Sequence, residues 1–199
     1  SLVSKSVGKA DIDPSAPGVN NRRYFGLPFT PEPARLVLNS VPWDVTTSYR
    51  EGTAGGPDAI LDASLQVDLY DLHNPDGWRQ GIGTLPVGDT LELRGKKLRE
   101  EARRVIEHWE SGGTAGESVR RRIARVNEGS EKLNAEVYDE ACRWLDAGKK
   151  VGLVGGDHSV PLGLIRALAE RNPGVGVLHV DAHADLRRAY EGFTYSHAS

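Results

Sequence analysis

Three side chains that can bind a metal stand two residues apart at Asp181, His183 and Asp185, and a fourth, His158, closes the run Gly155-Gly156-Asp157-His158. In extended chain, alternate residues point to one side, so the group of three shares a face. Desolvating two carboxylates there is costly unless a cation compensates. Carboxylate and imidazole donors without a thiolate favour a harder ion such as Mn²⁺ over a structural Zn²⁺ site. A metal-free Asp/His hydrogen-bond network capping a sheet is the competing reading. The two motifs together favour the metal. Gly155 and Gly156 let the backbone turn sharply and approach the site closely. Asp157 suits two roles, steadying a ligand or capping the following helix. His179 reads as a core histidine facing away from His183.

The elements that must position these residues are legible in outline. Lys150 to Val154 is a short apolar run ending in glycines, as a buried strand should be. Pro161 to Arg171 follows as a helix with Val160, Leu164, Ile165 and Leu168 as its buried stripe, stopped by Asn172-Pro173-Gly174. Val175 to Val180 reads as a second buried strand. Strand, helix and strand joined by short loops make a βαβ unit with parallel strands. Both motifs then leave carboxyl ends of neighbouring strands, where open α/β sheets bind ligands. Upstream, Arg35 to Pro42 is a first strand, a glycine-rich loop spans Thr46 to Gly56, and Pro57-Asp58 opens a helix. Residues 65–90 read as loop with a short strand near Thr84 to Val87. Lys97 to Trp109 and Asn134 to Ala147 are helical by pattern. Residues 111–130 read as a polar excursion with a short helix at 117–126.

The composition is that of an ordinary globular domain. The 199 residues carry a net charge of −3, which gives no reason to expect a nucleic acid or an anionic membrane as partner. Arg120-Arg121-Arg122 sits among acids and reads as a solvated helix face. No apolar stretch approaches the ~18 residues of a membrane span, and the first residues show no secretory pattern. Cys142, the single cysteine, reads as a small helix residue. It permits no intrachain disulfide and suits a reducing compartment, so the cytoplasm is the expected location.

Gly155-Gly156-Asp157-His158-Ser159 and Val180-Asp181-Ala182-His183-Ala184-Asp185 closely resemble two signatures of the ureohydrolase superfamily, the arginase/agmatinase family. Val41-Pro42-Trp43-Asp44, Gly52-Thr53, Gly56-Pro57-Asp58-Ala59-Ile60 and Ala63-Ser64 resemble its first strand, loop and helix, with Leu61 where the family often has Arg. The resemblance covers about residues 35–90 and 136–199. It implies a three-layer α-β-α domain with a mainly parallel sheet, preceded by an irregular arm at 1–34 and interrupted by a helical excursion at about 92–135. It also implies two Mn²⁺ ions, with Ni²⁺ as an alternative, His158 and Asp185 on one, His183 on the other, and Asp181 between them. A hydroxide held by both metals would attack a guanidino carbon to release urea and an amine. His197 would match the family's proton-shuttling histidine. An agmatinase-like substrate, a cytoplasmic trimer or hexamer, and no nucleic-acid or membrane partner complete the expectation.

The family's later Asp-x-Asp pair has no counterpart. Asp11-Ile12-Asp13 precedes Pro14 in the irregular arm and reads as coincidence. The residues therefore read as the N-terminal part of a longer domain, incomplete at its C-terminus. Formimidoylglutamase and guanidine hydrolase chemistry stay open within the family. A non-catalytic subunit of the same fold is the alternative of another class. A metallophosphoesterase is disfavoured, because its Asp-x-His would come first in the chain.

Overall fold

The computed structural model describes residues 12–199. Asp11 therefore lies outside the described residues. Three parallel strands form one sheet in the order β2-β1-β3, with β1 at Leu36–Val41, β2 at Ile82–Thr84 and β3 at Lys150–Gly155. The central strand β1 buries Val37, Ser40 and Val41 and pairs along its whole length with β3, from Leu36↔Lys150 to Val41↔Gly155. Helix α1, Gly56–Ser64, opens with Pro57 at a position where its missing N–H costs nothing and with Asp58 in the first turn. The described part of the arm, residues 12–35, is irregular but packed. Tyr24 is buried with its hydroxyl 2.8 Å from Ser40 Oγ, and Leu27 and Phe29 pack with Ala34 and Trp78.

The expected excursion is two long helices: α2, Asp89–Glu110, and α3, Glu117–Asp146. The separate helices expected at 117–126 and from Asn134 are one. Its polar composition hides an apolar or small-residue stripe (Val119, Ile123, Val126, Ser130, Leu133, Val137, Ala141, Trp144) that recurs every three or four residues along α3. Val119, Ile123, Val126, Leu133 and Val137 of that stripe meet Ala102, Val105 and Ile106 of α2, Val41 at the end of β1, and Trp43 and Val45 beyond it in the main core. Gly129 lies where a Cβ would stand 2.2 Å from Leu98 Cδ1, so the two helices pack closely there. Arg120 and Arg121 lie on the solvated face as expected, whereas Arg122 makes a half-buried pair with Glu101 of α2. Cys142 is a half-buried residue of α3.

Helix α4, Leu162–Arg171, buries Gly163 and Ala167; of the expected stripe, Val160 is buried in the core and Leu164 packs against it, while Ile165 and Leu168 are only half-buried. The reason is its partner: a Cβ at 163 would stand 2.4 Å from the Asn134 carbonyl of α3, so the small face is the one that fits. The larger correction concerns Val175 to Val180. This segment forms no ladder with β3, and Val177, Leu178 and Val180 are exposed. A run that is apolar on both faces needs a layer on each side, and the described residues place none there.

Where β3 ends, the chain crosses the backbone after β1. Gly156 N–H donates to Val41 O at 3.1 Å and Asp157 N–H to Trp43 O at 2.8 Å. A Cβ on Gly156 would lie 1.8 Å from the Trp43 carbonyl oxygen. Gly156→Ala therefore forces two backbones apart and is expected to cost about 3 kcal/mol. Urea denaturation checks this, and an unchanged midpoint would show that the crossing tolerates a side chain.

Candidate metal centre

Four stretches of chain converge on one cavity of about 700 Å³: the loop after β1 (Thr47, Thr53), the turn after β3 (Asp157, His158), the 181–187 segment, and the 190–198 loop with Tyr190 and His197. The glycine crossing sets His158 at its floor. Asp157 beside it is buried, and its Oδ1 accepts from Ser159 N at 3.0 Å and Ser159 Oγ at 2.5 Å. It closes the turn before α4 and does not cap the helix. Burial pushes its carboxyl above the usual carboxylate range.

His158 Nδ1 lies 2.7 Å from Asp185 Oδ2 and 3.1 Å from Asp181 Oδ2. The second oxygen of Asp181 accepts the His183 backbone N–H at 2.7 Å and stands 3.2 Å from His183 Nδ1. That backbone N–H, foremost, holds the Asp181 carboxyl below its ordinary range. Asp181 thus turns one oxygen toward His158 and the other toward His183. A ring nitrogen carries one proton at most, so His158 Nδ1 cannot give a full hydrogen bond to both carboxylates. Adjacent donors on an octahedral ion with bonds of about 2.1 Å lie about 3 Å apart, which is the spacing found. The donor set and its geometry fit a hard divalent cation.

His179 corrects the sequence reading. It is exposed rather than in the core, its ring stands edge-on to His158 at 4.7 Å and 72°, and with His158, Asp181 and Asp185 it forms a set of donors within 4.8 Å of one another. The signal was present in the alternation: 179 has the same parity as 181, 183 and 185 and belongs on their face.

His197 lines the same cavity. Its backbone N–H donates to Thr46 Oγ1 at 3.3 Å, its Nε2 is 3.4 Å from Ser48 Oγ, and its ring meets Tyr190 edge-on at 5.8 Å. The loop carrying it is gripped by the long helices. Trp109 Nε1 of α2 donates to Glu191 O at 3.1 Å. Asn127 of α3 donates to Gly192 O at 3.2 Å and accepts from Thr194 N at 2.9 Å. Phe193 is fully buried in the main core. Arg99 of α2 donates to Val45 O and Thr47 O, bracing the loop after β1.

The family model described as "Arginase family" matches residues 34–199. The chain belongs to the arginase family. It is 36% identical over 179 residues to an N(1)-aminopropylagmatine ureohydrolase of Thermus thermophilus, covering 89% of this chain and 50% of that protein. It is 28% identical over 169 residues to an agmatinase of Bacillus anthracis, covering 84% and 46%. It spans about half the length of the curated relatives it matches. Among solved structures, the agmatine ureohydrolase of Thermoplasma volcanium superposes with a TM-score of 0.63 at 24% identity, over 90% of this chain and 48% of that one. Proclavaminate amidino hydrolase from Streptomyces clavuligerus gives 0.58 at 22% identity, over 94% and 51%. These two likenesses carry the fold alone, and the fold they carry is the expected α/β class.

The grip of α3 on the His197 loop of this arginase-family chain is testable. Asn127→Ala removes both of its side-chain hydrogen bonds to the loop and is expected to loosen residues 192–198 by about 1–2 kcal/mol. Amide hydrogen exchange at Thr194 and His197 should accelerate about tenfold while α2 and β1 stay protected. Equal protection in both proteins would remove α3 from the site's support.

Proposed function

We propose that the protein containing this chain hydrolyses a guanidino C–N bond and releases urea and an amine. The observation that carries the reading is the two-sided Asp181 carboxylate, with His158 at one oxygen and His183 at the other, and Asp185 on the same His158 nitrogen. On this reading His158 and Asp185 would hold one divalent cation and His183 a second, with Asp181 available to both. The absence of thiolate from the set favours Mn²⁺, with Ni²⁺ as the alternative. Bound there, the two cations supply a water ionised at neutral pH as nucleophile. The four side chains fill fewer than half of the roughly twelve positions that two six-coordinate ions offer. Water, substrate and other residues of the whole protein take the rest.

This chain's own contribution to turnover is to orient and to move a proton. When the C–N bond breaks, its electron pair goes to the departing nitrogen, which needs a proton. His197, which lines the same cavity as the metal donors, is the group suited to deliver it. The substrate is an agmatine-type guanidinoalkylamine, with or without an aminopropyl extension, following the printed names of the relatives. Family resemblance extends the reading to a cytoplasmic homo-oligomer, a trimer or hexamer. The single cysteine suits that compartment, and no helix among the described residues is long and apolar enough to cross a membrane.

The full-length protein loaded with Mn²⁺ is expected to release urea from agmatine or N(1)-aminopropylagmatine. His183→Ala should lower bound metal and cut turnover more than about 100-fold, since loss of a ligand's supporting partners alone costs 10–100-fold. Metal analysis with assays of urea, ammonia and phosphate checks both. Phosphate release from phosphoesters without urea or ammonia would sink the reading. A His183→Ala protein that keeps its assembly, from a parent with no turnover, would point to a non-catalytic subunit.

A further inference from the structure

The turn that leads to His197 is strained and clamped. Tyr190 and Phe193 exchange both backbone hydrogen bonds, N–H to O at 3.0 and 2.8 Å, across the central residues Glu191 and Gly192. Both central residues have positive φ, +54° and +92°. A tight two-residue turn demands that geometry, which suits Gly192 and is uncommon for a residue with a Cβ such as Glu191. The turn is pinned from the scaffold side. Trp109 Nε1 donates to Glu191 O, Asn127 donates to Gly192 O, and Phe193 is fully buried in the core. A Cβ on Gly192 would stand 2.7 Å from Ile123 Cδ1 of α3. Strain held in place beside a site points to a group that the turn must position.

That group is Tyr190. Its ring lines the metal cavity and meets the His197 ring edge-on, with centroids 5.8 Å apart and planes at 87°. Arg187 stands over the Tyr190 ring, its Cζ 5.1 Å from the centroid. The backbone N–H of Arg187 also donates to Ala198 O at 3.3 Å, next to His197. The segment that carries Asp181 and Asp185 is thus tied to the His197 loop through the backbone and through the Tyr190 ring. Polar contacts hold the imidazole weakly. Nδ1 is buried without a partner, and Nε2 has Ser48 Oγ at 3.4 Å, long for a hydrogen bond. The last torsion of a histidine has broad minima, so one weak polar tie leaves the ring free to turn unless a neighbour stands across it. Tyr190 stands across it.

We propose that Tyr190 is a positioning residue for His197: its ring, set by the clamped turn and stacked against Arg187, holds the imidazole at the angle from which it reaches the departing amine. Perpendicular aromatic pairs at this spacing are favoured by their quadrupoles beyond the area they bury. The role rests on the proton-donor reading of His197 given above. The ring makes the contact, so the hydroxyl is dispensable and Phe can replace Tyr where an aliphatic residue cannot.

The test uses the full-length, metal-loaded protein with Tyr190→Phe and Tyr190→Leu, and Ser48→Ala for comparison. Tyr190→Leu should keep its bound metal and lower kcat about three- to tenfold with KM within about twofold, the size expected for one aromatic pair. Tyr190→Phe should restore kcat to within about twofold of the parent. Crystal structures should show the His197 ring at the parent angle in Tyr190→Phe and turned from it in Tyr190→Leu. An unchanged kcat in Tyr190→Leu overturns the proposal. A raised KM with unchanged kcat also overturns it, because Tyr190 would then be a substrate contact. So does a ring angle that follows Ser48→Ala and ignores Tyr190→Leu. Where Tyr190→Leu does not fold, Tyr190→Phe decides: a loss of kcat beyond about fivefold overturns the role of the ring. If the parent releases no urea from any guanidino substrate, the functional reading fails, while the His197 ring angle still judges Tyr190.

Discussion

Two carboxylates converge on one imidazole nitrogen. Asp181 and Asp185 both stand about a hydrogen bond's length from His158 Nδ1, and that nitrogen has at most one proton to give. In a water-filled surface patch such an arrangement would spread apart. Here the chain holds it together from both ends. His158 is fixed by a backbone crossing at Gly156 that leaves no room for a side chain. Asp181 is fixed by the backbone N–H of His183, and Asp185 sits at a positive φ of 48°. A divalent cation held between these donors would relieve the repulsion between the two carboxylates.

The same economy explains the two long helices. They contribute no donor to the metal set, yet both loops that frame the cavity depend on them. Arg99 braces the loop after β1, while Trp109 and Asn127 hold the turn at 191–194. His197 lies between these loops, touching Thr46 and Ser48 from one and Tyr190 from the other. The core formed by Val105, Val126, Leu133 and Phe193 therefore sets the position of a histidine that is itself outside that core.

Much of this was readable in the sequence because the responsible rules are local. Paired glycines marked the close crossing and Pro57-Asp58 marked the start of α1, whereas the chain bends at 181–183, so Asp181 and Asp185 gather with His158 and His179 while His183 stays exposed. What failed depended on partners that lie far along the chain. Val175 to Val180 has the composition of a buried strand, but burial needs layers that the described residues do not supply. The stripe of α3 was obscured by the charged residues between its core positions, and the contact face of α4 was decided by Asn134 and Tyr138 of α3. His179 is a different case. Its parity was visible, and assigning it to the opposite face was a misreading of a rule that the sequence obeys.

The most direct test of the central claim is a crystal structure of the full-length protein grown with Mn²⁺, with anomalous scattering measured at the manganese edge. The account predicts two peaks about 3.5 Å apart, one bonded to His158 Nδ1 and Asp185, the other to His183 Nδ1, with Asp181 reaching both. No peak in the cavity, or a single ion that leaves His183 unbound, would contradict it.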